Sequence, residues 1–219
     1  MTETSARPDA ATHVLLLRGV NVGGRNRVPK ADLARAAERA GVRDPHVHLN
    51  SGNVLGTLAT GTDPDDVAAR LRAHLASDLG VETPVLAITV KELDALLDAL
   101  LNSELVAWDE TLEDLDPKRL HLVVLDRAPE PQAAAALGEV DFGADRCAVI
   151  GRGVWIRYAA DTQRSRLSLP RIERELNAGE ATSGAAETAV VGTARNLRTI
   201  RTLAGRPEPL RDLPVMRPR

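Results

Sequence analysis

Short apolar runs alternate with segments of helical period, and their order, β-α-β-β-α-β, admits few folds. An apolar run from His13 to Leu17 opens the series, and a loop rich in Gly and Asn then leads to Pro29. Proline at that point suits the first turn of a helix. Ala31, Leu33, Ala34, Ala37 and Ala40 recur at helical spacing up to Gly41, a C-terminal stop. Two short runs, Val47 to Leu49 and Val54 to Leu58, flank Asn50-Ser51-Gly52-Asn53, a turn in which glycine supplies the positive φ that a hairpin needs. A second helix is expected from Asp63-Pro64, with Val67, Leu71, Leu75 and Leu79 inside and Gly80 at its end, and the run Pro84 to Thr89 reads as the closing strand. This is the split pattern of a ferredoxin-like unit.

The second half repeats the plan. Leu120 to Leu125 reads as a strand, Pro131 to Leu137 as a helix, and Arg146 to Ile150 with Val154 to Tyr158 as a hairpin around Gly151-Arg152-Gly153. Leu169 to Leu176 reads as a second helix, but no clean final strand follows, and a last helix is expected from about Ala194 to Ala204. The expected class is α+β, two tandem ferredoxin-like (βαββαβ-type) subdomains, the second imperfect and ending in a helix. The expected boundaries are a disordered N-terminus at 1–12, subdomains at 13–101 and 118–204, an acidic linker at 102–117, and a flexible Pro/Arg-rich tail at 205–219. Hydrophobic residues make up 43% of the chain but aromatics only 2%, so the core must be filled by Leu, Val and Ala.

Charge is segregated along the chain although the net value is only -3. Lys91 to Asp116 holds nine acidic residues and one basic, whereas Arg146 to Arg174 holds seven arginines against Asp161 and Glu173. A pI near 6.0 does not describe a protein that coats nucleic acid all over. Cys147 is the only cysteine, which excludes an intrachain disulfide and a cysteine-rich metal site and fits a reducing compartment. No signal peptide or run of about 18 apolar residues is visible, so a cytoplasmic location without a membrane partner is expected.

Leu16-Leu17-Arg18-Gly19-Val20-Asn21-Val22-Gly23-Gly24-Arg25-Asn26-Arg27-Val28-Pro29, the Ser51-Gly52-Asn53 turn, Lys118-Arg119-Leu120-His121, Val154 to Tyr158, Arg164-Ser165-Arg166-Leu167 and Thr193-Ala194-Arg195-Asn196 occur in this order. In these segments the chain resembles the bacterial family known as domain of unknown function 1697, over roughly Val14 to Leu203. It departs from that pattern at Asn50, Leu197 and Arg198. The resemblance implies two related α+β subdomains and bacterial occurrence, and supplies no catalytic residues or cofactor.

Antiparallel pairing of strands one and three would bring Arg18 and Asn21 beside Asn50, Ser51 and Asn53. Gly23 and Gly24 would then either present backbone N–H groups to an anion as a nest, flanked by Arg25 and Arg27, or simply shape the loop. The glycines match neither Gly-x-Gly-x-x-Gly nor a P-loop. In the second half Lys118 and Arg119 would lie near Arg157, with Arg164, Ser165 and Arg166 leaving the same edge. These cations would need either an anionic ligand or carboxylates from Asp161, Glu173 or the acidic linker. Thr193 is expected as an N-cap, with Arg195 and Asn196 in the first turn of the last helix. His46 and His48 share a strand face, but no further ligand joins them at metal spacing. No Gly-x-Ser-x-Gly elbow is present.

These features favour an anion-binding protein that recognises a phosphorylated ligand or a nucleic-acid backbone. Arg18, Asn21, Asn53, Arg157, Arg166 and Arg195 would line a basic cleft between the subdomains. An enzyme on a small phosphorylated or carboxylated metabolite and a protein-interaction module are the alternatives. Strands one and three of the first half carry no Phe, Tyr or Trp, which argues against base-stacking recognition of single-stranded RNA there.

Overall fold

Strand β1 (His13–Leu17) occupies the interior of a four-stranded antiparallel sheet whose order is β2-β3-β1-β4. The computed structural model describes residues 11–107, 110, 115–160, 162–178 and 189–206. Around β1 lie α1 (Lys30–Ala40), β2 (Arg43–His48), β3 (Asn53–Thr57), α2 (Pro64–Leu79), β4 (Val85–Thr89) and α3 (Val90–Leu101). Strict alternation along β1 sends Leu15 and Leu17 to the face where Leu33, Ala37, Leu71 and Leu75 of α1 and α2 complete a buried aliphatic cluster. Val14 and Leu16, on the other face, are equally buried. Helix α2 starts where its sequence says it should: the Asp63 carboxylate accepts the Asp65 N–H at 2.9 Å, and Pro64 fills the first position.

The second sheet has the same plan. It contains β5 (Leu120–Leu125), β6 (Arg146–Ile150), β7 (Gly153–Arg157) and β8 (Gly192–Asn196), again antiparallel and in the order β6-β7-β5-β8. Helices α4 (Pro131–Glu139) and α5 (Leu169–Leu176) close one face over Val123, Leu125, Val154 and Ile156, with Leu137 and Ile172 buried among them. On the opposite face Trp155 is fully buried, and its indole N–H donates to the Leu96 carbonyl of α3 at 2.9 Å. Helix α6 (Leu197–Leu203) follows β8 as α3 follows β4, and each is capped by the residue ending the strand. Thr89 Oγ1 accepts the Glu92 N–H, and Asn196 Oδ1 accepts the Thr199 N–H.

The chain divides into two compact units, one running to Leu93 and including Leu203–Gly205, the other beginning at Asp94. The fold is therefore α+β with two four-stranded antiparallel sheets and six helices among the described residues. Among these residues no helix is long and apolar enough to cross a membrane, and no group of three or more His, Cys, Asp or Glu could hold a metal ion.

Several sequence expectations need correction. A final strand, β8, does exist; its Thr-Ala-Arg stretch looked helical because it runs directly into α6. Thr193 is consequently a strand residue and not an N-cap, and Arg195 lies in β8, outside any helix. Strand β2 begins at Arg43, through Asp44 at φ 49 and a register shift before His46, whereas Leu49 leaves the strand with φ 58. Ala11 is buried and the Thr12 N–H donates to Gly56 O; residues 1–10 and 207–219 of the expected tails lie outside the described residues. In the acidic stretch at 102–117, Leu105, Val106 and Leu115 are buried.

Candidate functional site

In the first unit the loop after β1 is a braced structure. Gly23 and Gly24 adopt φ values of 57° and 76°, and the Arg25 N–H donates to Val22 O, forming a tight hairpin turn. Two successive left-handed residues do not converge their N–H groups as the alternating right- and left-handed pair of an anion nest does, so these glycines shape the turn. Asn21 binds the loop to its surroundings: its amide donates to Val28 O and, at 2.7 Å, to Asn50 O, while its Oδ1 accepts the Val28 N–H. The loop is thus fastened to the β2–β3 turn, as antiparallel pairing of β1 with β3 requires. Asn53 is fully buried and donates to His48 O and Ser51 Oγ. Both asparagines are spent on backbone shape.

The cations around this frame differ in environment. Arg18 is half-buried, and its carbonyl accepts the Thr83 hydroxyl. Arg25 and Arg27 are exposed and form no ion pair among the described residues. Val22 of this loop is 66% exposed and Leu49, before the β2–β3 turn, 48%, the two most open large apolar side chains among the described residues. Burial, then His46 and Lys30, depresses the His48 pKa, so Lys30 adds positive charge to the same region.

In the second unit, Arg157 lies directly opposite Arg146 on β6 and Leu120 on β5, which sets all three on one face of the sheet. Its guanidinium grips Glu110 with two bonds of 2.6 Å and the Leu105 carbonyl at 2.7 Å. The carboxylate partner expected from the acidic stretch is therefore realised, and Arg157 is not an uncompensated cation. Arg195 shares that face through its register with Leu122, but it is buried, donates to Thr193 Oγ1 and Ala194 O, and has its pKa lowered to about 10 by burial. Lys118, Arg164 and Arg166 are exposed, whereas Ser165 is held by Asp145 at 2.5 Å. Asp161 lies outside the described residues. Asn196 is committed to capping α6.

Of these predicted residues only Arg157 lines a cavity of about 480 Å³, which it shares with Leu105, Leu115, Leu120, Arg119 and Arg146. Arg146 escapes a motif-based reading, yet register counting finds it: the turn Gly151-Arg152 pairs Ile150 with Gly153, and four steps back along each strand pair Arg146 with Arg157. Burial raises the Cys147 pKa to about 11, which disfavours the thiolate form.

The Arg157 bonds, followed by the Ala107 N–H, lower the Glu110 pKa from 4.5 to about 2. Because the folded state releases this proton more readily than the unfolded chain, the stabilisation is complete above about pH 4.5 and disappears as pH falls through about 2. Glu110→Gln should cost on the order of 1–2 kcal/mol at neutral pH after solvent screening and flatten the acid limb of the stability profile. Urea midpoints measured at pH 7 and pH 3 would contradict this if the wild-type protein and the variant fell in parallel.

Residues 10–155 match the model of a family described as "Protein of unknown function (DUF1697)". No curated protein matches the chain. Among solved structures, the conserved bacterial protein SP0830 from Streptococcus pneumoniae is similar in fold, with a TM-score of 0.57 at 17% identity over 90% of this chain and 99% of that one.

Proposed function

The chain belongs to the DUF1697 family, and we propose from its loop chemistry that it is an anion-binding protein that contacts a nucleic-acid backbone through the loop following β1. The reading rests on one observation: Arg25 and Arg27 stand exposed on a loop braced by Asn21, with no carboxylate against them among the described residues. A rigid support lowers the entropy lost when those side chains engage a ligand. Residues 21–27 are all exposed, which suits an extended phosphate chain better than a small metabolite that must be enclosed. Exposed Val22 and Leu49 would lie against the sugars. We also read the strand order of each sheet as the ferredoxin-like arrangement, a scaffold that hosts many functions and by itself assigns none.

Binding to a mixed-sequence DNA or RNA duplex, followed by fluorescence anisotropy between about 50 and 200 mM salt, should weaken with a slope of roughly 0.9 per phosphate contact. Replacing Arg25 and Arg27 together with Gln should reduce that slope by roughly 2 and leave the thermal midpoint unchanged. Absence of binding at low salt, or the same slope in the double variant, would refute the assignment.

A further inference from the structure

The cavity in the second unit carries an inference independent of the loop in the first. Its volume, about 480 Å³, falls within the range of small-ligand sites. Its apolar wall is built by Leu105, Leu115 and Leu120, all buried. Against that wall stand arginines in three conditions. Arg157 is fixed by Glu110 and Leu105 O. Arg119 donates to Ala159 O and lies 3.6 Å from Asp116. Arg146 donates only from Nη1, at 2.6 Å to Gly143 O and 3.0 Å to Asp145 O.

Arg146 thus meets main-chain carbonyls alone among the described residues, and its Nε–Nη2 edge is unspent. That edge offers two parallel N–H donors at the spacing of a carboxylate's oxygens. The Nη1 bonds meanwhile hold the guanidinium in place. Directly across the strand pair sits Arg157, and opposed like charges on one sheet face repel unless an anion joins them. Glu110 compensates one of the two.

The total charge limits what can bind. Arg119, Arg146 and Arg157 are balanced by Asp116 and Glu104 of the lining and by Glu110, so the cavity has no excess field to hold a polyanion. Its attraction for anions is local to Arg146. We propose that this cavity binds a small carboxylic acid with an apolar body, the carboxylate forked on Arg146 and the body against Leu105, Leu115 and Leu120.

The test uses the full chain and four probes: benzoate, hexanoate, benzyl alcohol and inorganic phosphate. Titration calorimetry should detect benzoate or hexanoate, and the same acid should raise the thermal midpoint as its concentration exceeds Kd. Arg146→Gln, at an exposed position, should fold normally and bind the acid roughly tenfold more weakly or worse. The Arg25 and Arg27 double variant should bind it unchanged, which separates this site from the nucleic-acid reading. Failure of both acids to bind, equal binding of benzyl alcohol or inorganic phosphate, or full affinity in Arg146→Gln would each overturn the proposal.

Discussion

Trp155→Ala is expected to abolish cooperative folding of the second unit or to lower its thermal midpoint by at least about 15 °C. Trp155 has no exposed surface and is the largest of the fully buried side chains among the described residues. In a core built mainly from Leu, Val and Ala, neighbouring side chains are too short to reach into the space an indole leaves. The truncation alone should cost about 3–5 kcal/mol. It also strips the Leu96 carbonyl of its donor, and a buried acceptor without a partner adds about 1–3 kcal/mol. Against a typical domain stability of about 5–15 kcal/mol the sum is decisive. Trp155→Phe separates the two parts, since it keeps most of the ring volume and loses the hydrogen bond. It should retain a cooperative transition at a midpoint between those of wild type and Trp155→Ala. Thermal unfolding followed by far-ultraviolet circular dichroism decides the matter: a loss of less than about 1 kcal/mol in Trp155→Ala would mean that the neighbours collapse into the space.

The first unit was almost wholly legible because each element carried its own punctuation. Pro64 and Asp63 open α2, and Gly41 and Gly80 close α1 and α2 in left-handed conformations with φ values of 104° and 64°. The end of the second unit was not legible. Strand β8 is five residues long and its sequence, Gly-Thr-Ala-Arg-Asn, has no apolar alternation. What holds it is the ladder to β5 together with burial of both Thr193 and Arg195, a tertiary effect that overrides local preference. Misplacing that strand by one element turned Arg195 from a buried strand residue into an imagined helix-terminal anion ligand. The acidic stretch was legible as a source of a carboxylate for the arginines, and Glu110 answers Arg157 across 47 residues of chain, but its charge hid the burial of Leu105, Val106 and Leu115.

Charge alone does not show the environment of each cation. Sequence weighting treated Arg18, Arg25, Arg27, Arg157, Arg166 and Arg195 as equals. The fold sorts them: Arg157 is a structural fork, Arg195 is enclosed, Arg18 is half-buried, and Arg25, Arg27 and Arg166 remain at the surface. Arg146, which no motif marked, bonds only to main-chain carbonyls among the described residues and lines the cavity. The distinction comes from counting spent donors, which requires coordinates.

The two hairpin turns provide the second large effect, because they are equivalent in the repeats and opposite in their tolerance. Gly52 sits at φ +72°, and a Cβ there would lie 2.6 Å from Val20 Cγ2 and 2.7 Å from Leu17 Cβ. Gly151 sits at φ +55°, with nothing within 4 Å of the same added atom. Both substitutions by Ala incur the left-handed penalty of about 1–2 kcal/mol, but only Gly52→Ala adds overpacking of about 1–3 kcal/mol. Its neighbours cannot yield easily, since Leu17 is fully buried and its N–H is bonded to Gly52 O at 2.8 Å. Gly52→Ala should therefore destabilise the first unit by about 2–5 kcal/mol. The strain also falls two residues from Asn50, whose carbonyl receives the Asn21 amide, so the loop bearing Arg25 and Arg27 should loosen with the turn. Hydrogen exchange at Val28 N–H, which Asn21 Oδ1 accepts, should accelerate in Gly52→Ala and stay at the wild-type rate in Gly151→Ala. Equal thermal losses in the two variants, or an unchanged Val28 rate, would show that the Leu17–Val20 wall gives way and that the turn does not support the loop.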